Sequence, residues 1–101
     1  MAIIALYGGT FNPIHNGHLA LAAQVSDTLH CSQVRFIPAA LPPHKEAPAV
    51  SAMHRAAMVE CAIANRADWV LDRCELSRSG PSYSIDTLTT LRTQFPQASL
   101  C

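Results

Sequence analysis

Apolar positions along the chain fall into alternating short runs and helical stripes. Ala2 to Tyr7 is a nearly continuous apolar run that stops at Gly8-Gly9, the pattern of a strand delivered into a tight turn. From Gly17 to about Leu29, the residues Leu19, Leu21, Ala22, Ala23, Val25 and Leu29 form a wide apolar surface, with Gln24, Asp27 and His30 left for solvent. That spacing predicts a helix packed on a sheet. Gln33 to Ala39 carries Val-Arg-Phe-Ile-Pro, a second strand closed by proline. Ser51 then caps a predicted helix to about Asn65, striped by Ala52, Ala56, Val59 and Ile63 with Met58 and Ala62 beside them. Trp69 to Leu71 opens a third strand that extends toward Leu76, and Arg78-Ser79-Gly80-Pro81 reads as a turn. A last helix, capped by Ser82 or Ser84, presents Ile85, Leu88, Leu91 and Phe95 and ends at Pro96.

Strands joined by helical crossovers of this length must run parallel. The expected fold is therefore α/β, a Rossmann-like parallel sheet with flanking helices, forming one domain over residues 1–101. After Pro96, Gln-Ala-Ser-Leu-Cys reads as a connector toward another strand. The expectation is thus a sheet cut short after its third β-α unit, and a chain that is the amino-terminal portion of a longer protein.

Composition narrows the partners. The 101 residues are 50% hydrophobic and 14% charged, with zero formal net charge, which excludes a disordered chain and gives no general basic field for nucleic acid. No apolar stretch reaches the length of a membrane span, and Met1 to Tyr7 lacks the cationic start of a secretory signal. A soluble, cytoplasmic protein is expected. Cys31, Cys61, Cys74 and Cys101 match no metal or redox spacing, so buried, reduced thiols are expected.

Chemistry concentrates in Gly8 to Leu19, Gly-Gly-Thr-Phe-Asn-Pro-Ile-His-Asn-Gly-His-Leu. Gly8 and Gly9 allow positive φ and close approach of a phosphate to backbone N–H groups, and Thr10 adds a hydroxyl. Asn12-Pro13 delays the helix until about Asn16 or Gly17. His15 and His18 then stand at its positive end, where free N–H groups, the macrodipole and two ring donors would together favour an anion. Zinc is the weaker reading of this His-x-x-His pair, since no second ligand pair accompanies it. Simple hydrogen bonding at the helix entry is the plain alternative.

Elsewhere, Lys45 sits in a loop stiffened by Pro42, Pro43 and Pro48, placed either to neutralise a phosphate or merely solvated. Arg55 falls in the first turn of the second helix, unfavourable for a cation unless an anion is near. Tyr83 can stack on a flat ring or staple the last helix.

Gly9, Phe11, Pro13, His15, Gly17 and His18 match Gly-x-Phe-x-Pro-x-His-x-Gly-His, and the stretch thereby resembles the signature of the nucleotidylyltransferases that share a fold with class I aminoacyl-tRNA synthetases. Pro42-Pro43-His44-Lys45 and Gly80-Pro81-Ser82-Tyr83-Ser84-Ile85-Asp86-Thr87-Leu88 extend this to a resemblance with the bacterial nicotinate-nucleotide adenylyltransferase family, over essentially the whole chain. The resemblance implies AMP transfer from ATP to nicotinate mononucleotide, giving deamido-NAD and pyrophosphate, with magnesium carried mainly on the ATP phosphates. It implies catalytic roles for His15 and His18, nucleotide binding at Gly8, Gly9, Thr10, Phe11 and Lys45, and substrate binding at Tyr83, Ser84 and Thr87. Transferases using phosphopantetheine or a cytidylyl donor share the first signature but not the two later segments. A non-catalytic nucleotide-binding segment is the alternative of a different class. Asn12 stands where aspartate is common in the family, and the family's Ser-x-Thr-x-x-Arg motif does not occur in these residues.

Overall fold

The computed structural model describes residues 2–11, 13–39, 51–77 and 84–101. Strand β1 (Ile3–Gly9) leads through the glycine-rich turn into helix α1 (Asn16–Leu29) and strand β2 (Gln33–Pro38). Helix α2 (Ala52–Ile63), strand β3 (Trp69–Leu71), a 3-10 turn at Cys74–Ser77, helix α3 (Ser84–Gln94) and a short strand β4 (Ser99–Leu100) complete it. The four strands are parallel in the order β3-β2-β1-β4. This is the expected Rossmann-like sheet, with the strand order reversing beside β1.

Alternation along the strands divides the core. Ala5, Val34 and Phe36 form one buried cluster with Ala22 of α1 and Val59 and Ile63 of α2, so these helices cover one face. On the other, Thr87 and Leu88 of α3 line a pocket together with Leu6 and Ile37. Phe36 is completely buried, with the Tyr7 ring stacked at 5.6 Å and the Trp69 ring at 5.3 Å. Arg35, from the α3 face, pairs with Asp72 at 2.9 Å and lies over the Phe95 ring. Asp72 also accepts from the Cys74 N–H, and this turns the chain out of β3.

That turn is one departure from expectation. The third strand does not continue toward Leu76, because the Asp72 carboxylate stops it and a 3-10 turn follows. The carboxyl-terminal stretch read as a connector already contains a strand, since Ser99 and Leu100 pair with Ile3 and Ile4. On α3 the buried positions are Thr87 and Leu91, whereas Ile85 is 68% and Leu88 44% exposed. The Thr87 hydroxyl donates to the Glu75 carboxylate at 2.6 Å, and this polar contact turns the helix away from the purely apolar stripe. Leu21 and Leu29 are likewise exposed on α1, where Ala22 and Ser26 take the buried positions. No disulfide joins the four cysteines, but Cys61 and Cys101 are exposed and Cys31 and Cys74 half-buried rather than buried. The predicted turn at residues 78–81 lies outside the described residues.

Among the described residues, no helix is long and apolar enough to cross a membrane. Replacing Phe36 by Ala should cost about 3–5 kcal/mol of unfolding free energy. Met53→Ala, at an 83% exposed position, should stay within about 0.5 kcal/mol. Urea unfolding followed by Trp69 fluorescence measures both.

Candidate functional site

β1 and β2 finish together at their carboxyl ends. Gly8 is in register with Ile37 and Gly9 with Pro38, and the Ala39 N–H donates to the Gly9 carbonyl at 2.9 Å. The turn after β1 therefore emerges beside the point where the strand order reverses, the usual ligand crevice of an open α/β sheet.

The glycines do not act there as expected. Among the described residues of this turn, positive φ belongs to Phe11, at 49°, while Gly8 and Gly9 end the strand in extended pairing. Gly9 lies against the Phe11 ring, where a Cβ would stand at ordinary contact distance, 3.4 Å. Phe11 is buried and packs edge-on to Tyr7 at 5.4 Å and to His18 at 5.2 Å. A left-handed aromatic residue carries strain of about 1–3 kcal/mol, which this ring packing must offset.

α1 begins at Asn16, as the proline predicted. His15 is its N-cap, and the His15 ring accepts from the Gly17 N–H through Nδ1 at 3.0 Å. The His15 N–H in turn donates to Nδ1 of His18 at 3.0 Å. This is a reciprocal capping box built from two imidazoles. The backbone N–H groups of His15 and Gly17, expected to be free for an anion, are thus spent on ring nitrogens. The rings replace them as donors. An imidazole accepting at Nδ1 holds its neutral-state proton on Nε2, on the other side of the ring. The two rings lie 3.9 Å apart, centre to centre. Desolvation, with Tyr7 and Phe11 packed against the ring, and then repulsion from His15 hold the His18 pKa below the ordinary imidazole value.

Gly17 is required by this box. A Cβ there would meet His15 Cε1 at 2.8 Å and Nδ1 at 3.0 Å, so any larger residue must displace the ring. Thr10 belongs to the same turn, and its carbonyl accepts from the Arg55 guanidinium. Arg55 does not face the site as a phosphate ligand: it is 1% exposed, and its Nη1 donates to the Thr10 carbonyl at 2.6 Å and the Ala39 carbonyl at 2.8 Å. Burial lowers its pKa.

Thr87 lines a pocket of about 210 Å³ with Leu6, Gly8, Ile37, Glu75 and Leu88, which brings it to the same end of β1. Sequence reasoning missed Glu75, which binds the Thr87 hydroxyl, because no local spacing links the two. Ser84 is the first residue of α3. Lys45, Tyr83 and Asn12 lie outside the described residues. A second cavity, of about 200 Å³, opens between β1 and α1 among Ala5, Tyr7, Leu21, Val25 and Val34. Its apolar walls set it apart from the polar turn.

The family model described as Cytidylyltransferase-like matches residues 6–98. A probable nicotinate-nucleotide adenylyltransferase of Pseudomonas fluorescens is 48% identical over 91 residues, which cover 90% of this chain and 42% of that protein. Another from Aeromonas salmonicida is 48% identical over 100 residues, covering 99% of this chain and 47% of that protein. The chain thus spans about half the length of the curated relatives it matches. The solved Plasmodium falciparum nicotinic acid mononucleotide adenylyltransferase complexed with NaAD superposes with a TM-score of 0.84 at 22% identity, over 99% of this chain and 50% of that one, a likeness of fold.

Two outcomes test the cap. Gly17→Ala should move the His15 ring and free the residue-17 amide, seen as a shift of that amide in NMR spectra. Net stability should change by less than about 1 kcal/mol, since the alanine helix preference offsets a lost cap of similar size. The His18 pKa is lowered on folding, so its contribution to stability is full above about pH 6.5 and is lost as pH falls through the folded value. His18→Gln keeps an acceptor for the His15 N–H but does not titrate. Urea midpoints measured from pH 7 to 5 should therefore fall less steeply in this variant than in the parent.

Proposed function

We propose that this chain, which belongs to the cytidylyltransferase-like family, carries the nucleotide-binding half of an adenylyl transfer site, taking AMP from ATP to nicotinate mononucleotide and releasing pyrophosphate. The observation that carries this reading is the imidazole pair of His15 and His18, each with Nδ1 turned to the helix backbone and Nε2–H left as a donor at the positive end of α1. Such a donor set suits phosphate oxygens. The names of the curated relatives supply the substrate class.

The chemistry asks little of a nucleophile. A phosphate oxygen of the mononucleotide, already ionised at neutral pH, attacks the α-phosphorus of ATP; the bond to the bridging oxygen breaks and pyrophosphate leaves with the electron pair. Catalysis then comes from alignment and from donors that meet charge as it moves onto the leaving group. His15 and His18 take that role, with Lys45 neutralising phosphate. Gly8, Gly9, Thr10 and Phe11 shape the turn that the triphosphate lies against, and Tyr83, Ser84 and Thr87 border the nicotinate ring. Imidazoles and backbone N–H groups suit oxyanions rather than a hard cation, so magnesium would arrive on the ATP phosphates, whose charge it neutralises.

The half-length match to the relatives favours one second reading, a segment that binds nucleotide without turnover. Calorimetric titration of this chain with ATP and magnesium tests the shared premise, and absence of binding sinks both readings. Pyrophosphate release then separates them. In a polypeptide of the relatives' length that carries this segment, His18→Ala should slow pyrophosphate release by roughly two orders of magnitude. An unchanged rate in a folded variant removes His18 from the chemistry.

A further inference from the structure

We propose that Arg55 is a positioning residue, which fixes the turn after β1 in the shape that the nucleotide phosphates require. The inference rests on the nucleotide reading above and adds to it a residue that never touches the ligand.

Arg55 sits one turn into α2, whose start is fixed by Ser51: the Ser51 hydroxyl accepts from the His54 N–H and its carbonyl from the Arg55 N–H. From there the guanidinium reaches under the ends of both central strands. One nitrogen, Nη1, donates to the carbonyls of Thr10 and Ala39, residues that directly follow β1 and β2. A peptide unit is planar and trans, so its C=O and N–H point in opposite directions. Drawing the Thr10 carbonyl toward α2 therefore aims the Phe11 N–H away from α2. The same grip holds the peptide that precedes the left-handed Phe11, a strained point of the turn.

A purely structural role explains these choices poorly. A buried cation costs several kcal/mol of desolvation, and the first turn of a helix repels positive charge. An apolar residue at position 55 would fill the space among Ala56, Val59 and Ile63 without either cost. What it could not do is bind two carbonyls that belong to separate strands and so set the spacing of the turns that follow them.

The test compares Arg55→Ala, Arg55→Lys and the core control Val59→Ala by ¹⁵N relaxation and by calorimetric titration with ATP and magnesium. In Arg55→Ala, the order parameters of Thr10 and Phe11 should drop from the rigid range near about 0.85 to below about 0.6. The ATP dissociation constant should rise by about tenfold or more, worth about 1.4 kcal/mol. Arg55→Lys, which restores one donor, should recover part of both effects and carries the comparison if the alanine variant does not fold. Val59→Ala should lower global stability yet leave turn order and ATP affinity at parental values. The proposal is overturned if Arg55→Ala leaves the turn rigid and ATP affinity unchanged, or if Val59→Ala reproduces its effects. Failure of the parent chain to bind ATP would refute the nucleotide reading, while the order parameters would still decide whether Arg55 holds the turn.

Discussion

β1 is bonded on both edges, to β2 along Ile4–Gly9 and to β4 at Ile3 and Ile4, and this double pairing is the constraint on which the site depends. A strand held from two sides cannot slip, since a one-residue shift would turn Ala5 out of the core and exchange the faces of its neighbours. Its carboxyl end is therefore fixed relative to β2. Only because both strands stop at the same level can one guanidinium reach the carbonyls of Thr10 and Ala39. The cost of burying Arg55 is thus tied to the register of the sheet, and a register error would leave the cation without those carbonyls.

The electrostatics of the helix mouth follow from what the cap uses up. A helix beginning with free N–H groups would offer an anion the backbone itself. Here the backbone N–H groups of His15 and Gly17 are held by the rings, and the positive end of α1 is relayed one ring further out. Desolvation lowers the His18 pKa, so near neutral pH that ring is chiefly a neutral donor. A neutral donor has the advantage that its Nδ1 remains an acceptor. Protonating it would break the His15 N–H contact and loosen the cap that orients both rings.

Much of this was legible in the sequence where a residue's neighbours along the chain determine its state. Pro13 set the start of α1, Ser51 set that of α2, and the Ala56, Val59 and Ile63 stripe was buried as its spacing requires. Reading failed where the partner is distant. Thr87 turned α3 because Glu75 lies across from it, and the expected Ile85 and Leu88 faced outward. Arg55 was conspicuous as a cation in a first turn, but its partners lie 45 and 16 residues away, and only the parallel sheet brings them near. Gly8 and Gly9 were read through backbone freedom, whereas the turn places its positive φ on Phe11. Local propensity would not choose an aromatic residue for that conformation; burial against Tyr7 and His18 does.

The fixed spacing of the glycine, aromatic and histidine positions can then be understood as a packing problem. Gly17 is small because the His15 ring occupies the space its Cβ would need, whereas a Cβ at Gly9 would stand at ordinary contact distance, 3.4 Å, from the Phe11 ring. His18 stands three residues after His15 because that spacing brings its ring back to the N-cap N–H. Phe11 and Tyr7 flank His18 edge-on and partly desolvate its half-buried ring. Apart from Gly9, each residue type is thus demanded by the ring of another, and a ligand need not touch a position for that position to be restricted. So small a set can therefore hold its ring donors in a fixed orientation. In the adenylyl-transfer reading proposed above, rings already oriented in the free chain would leave little of the binding energy to be consumed in ordering them.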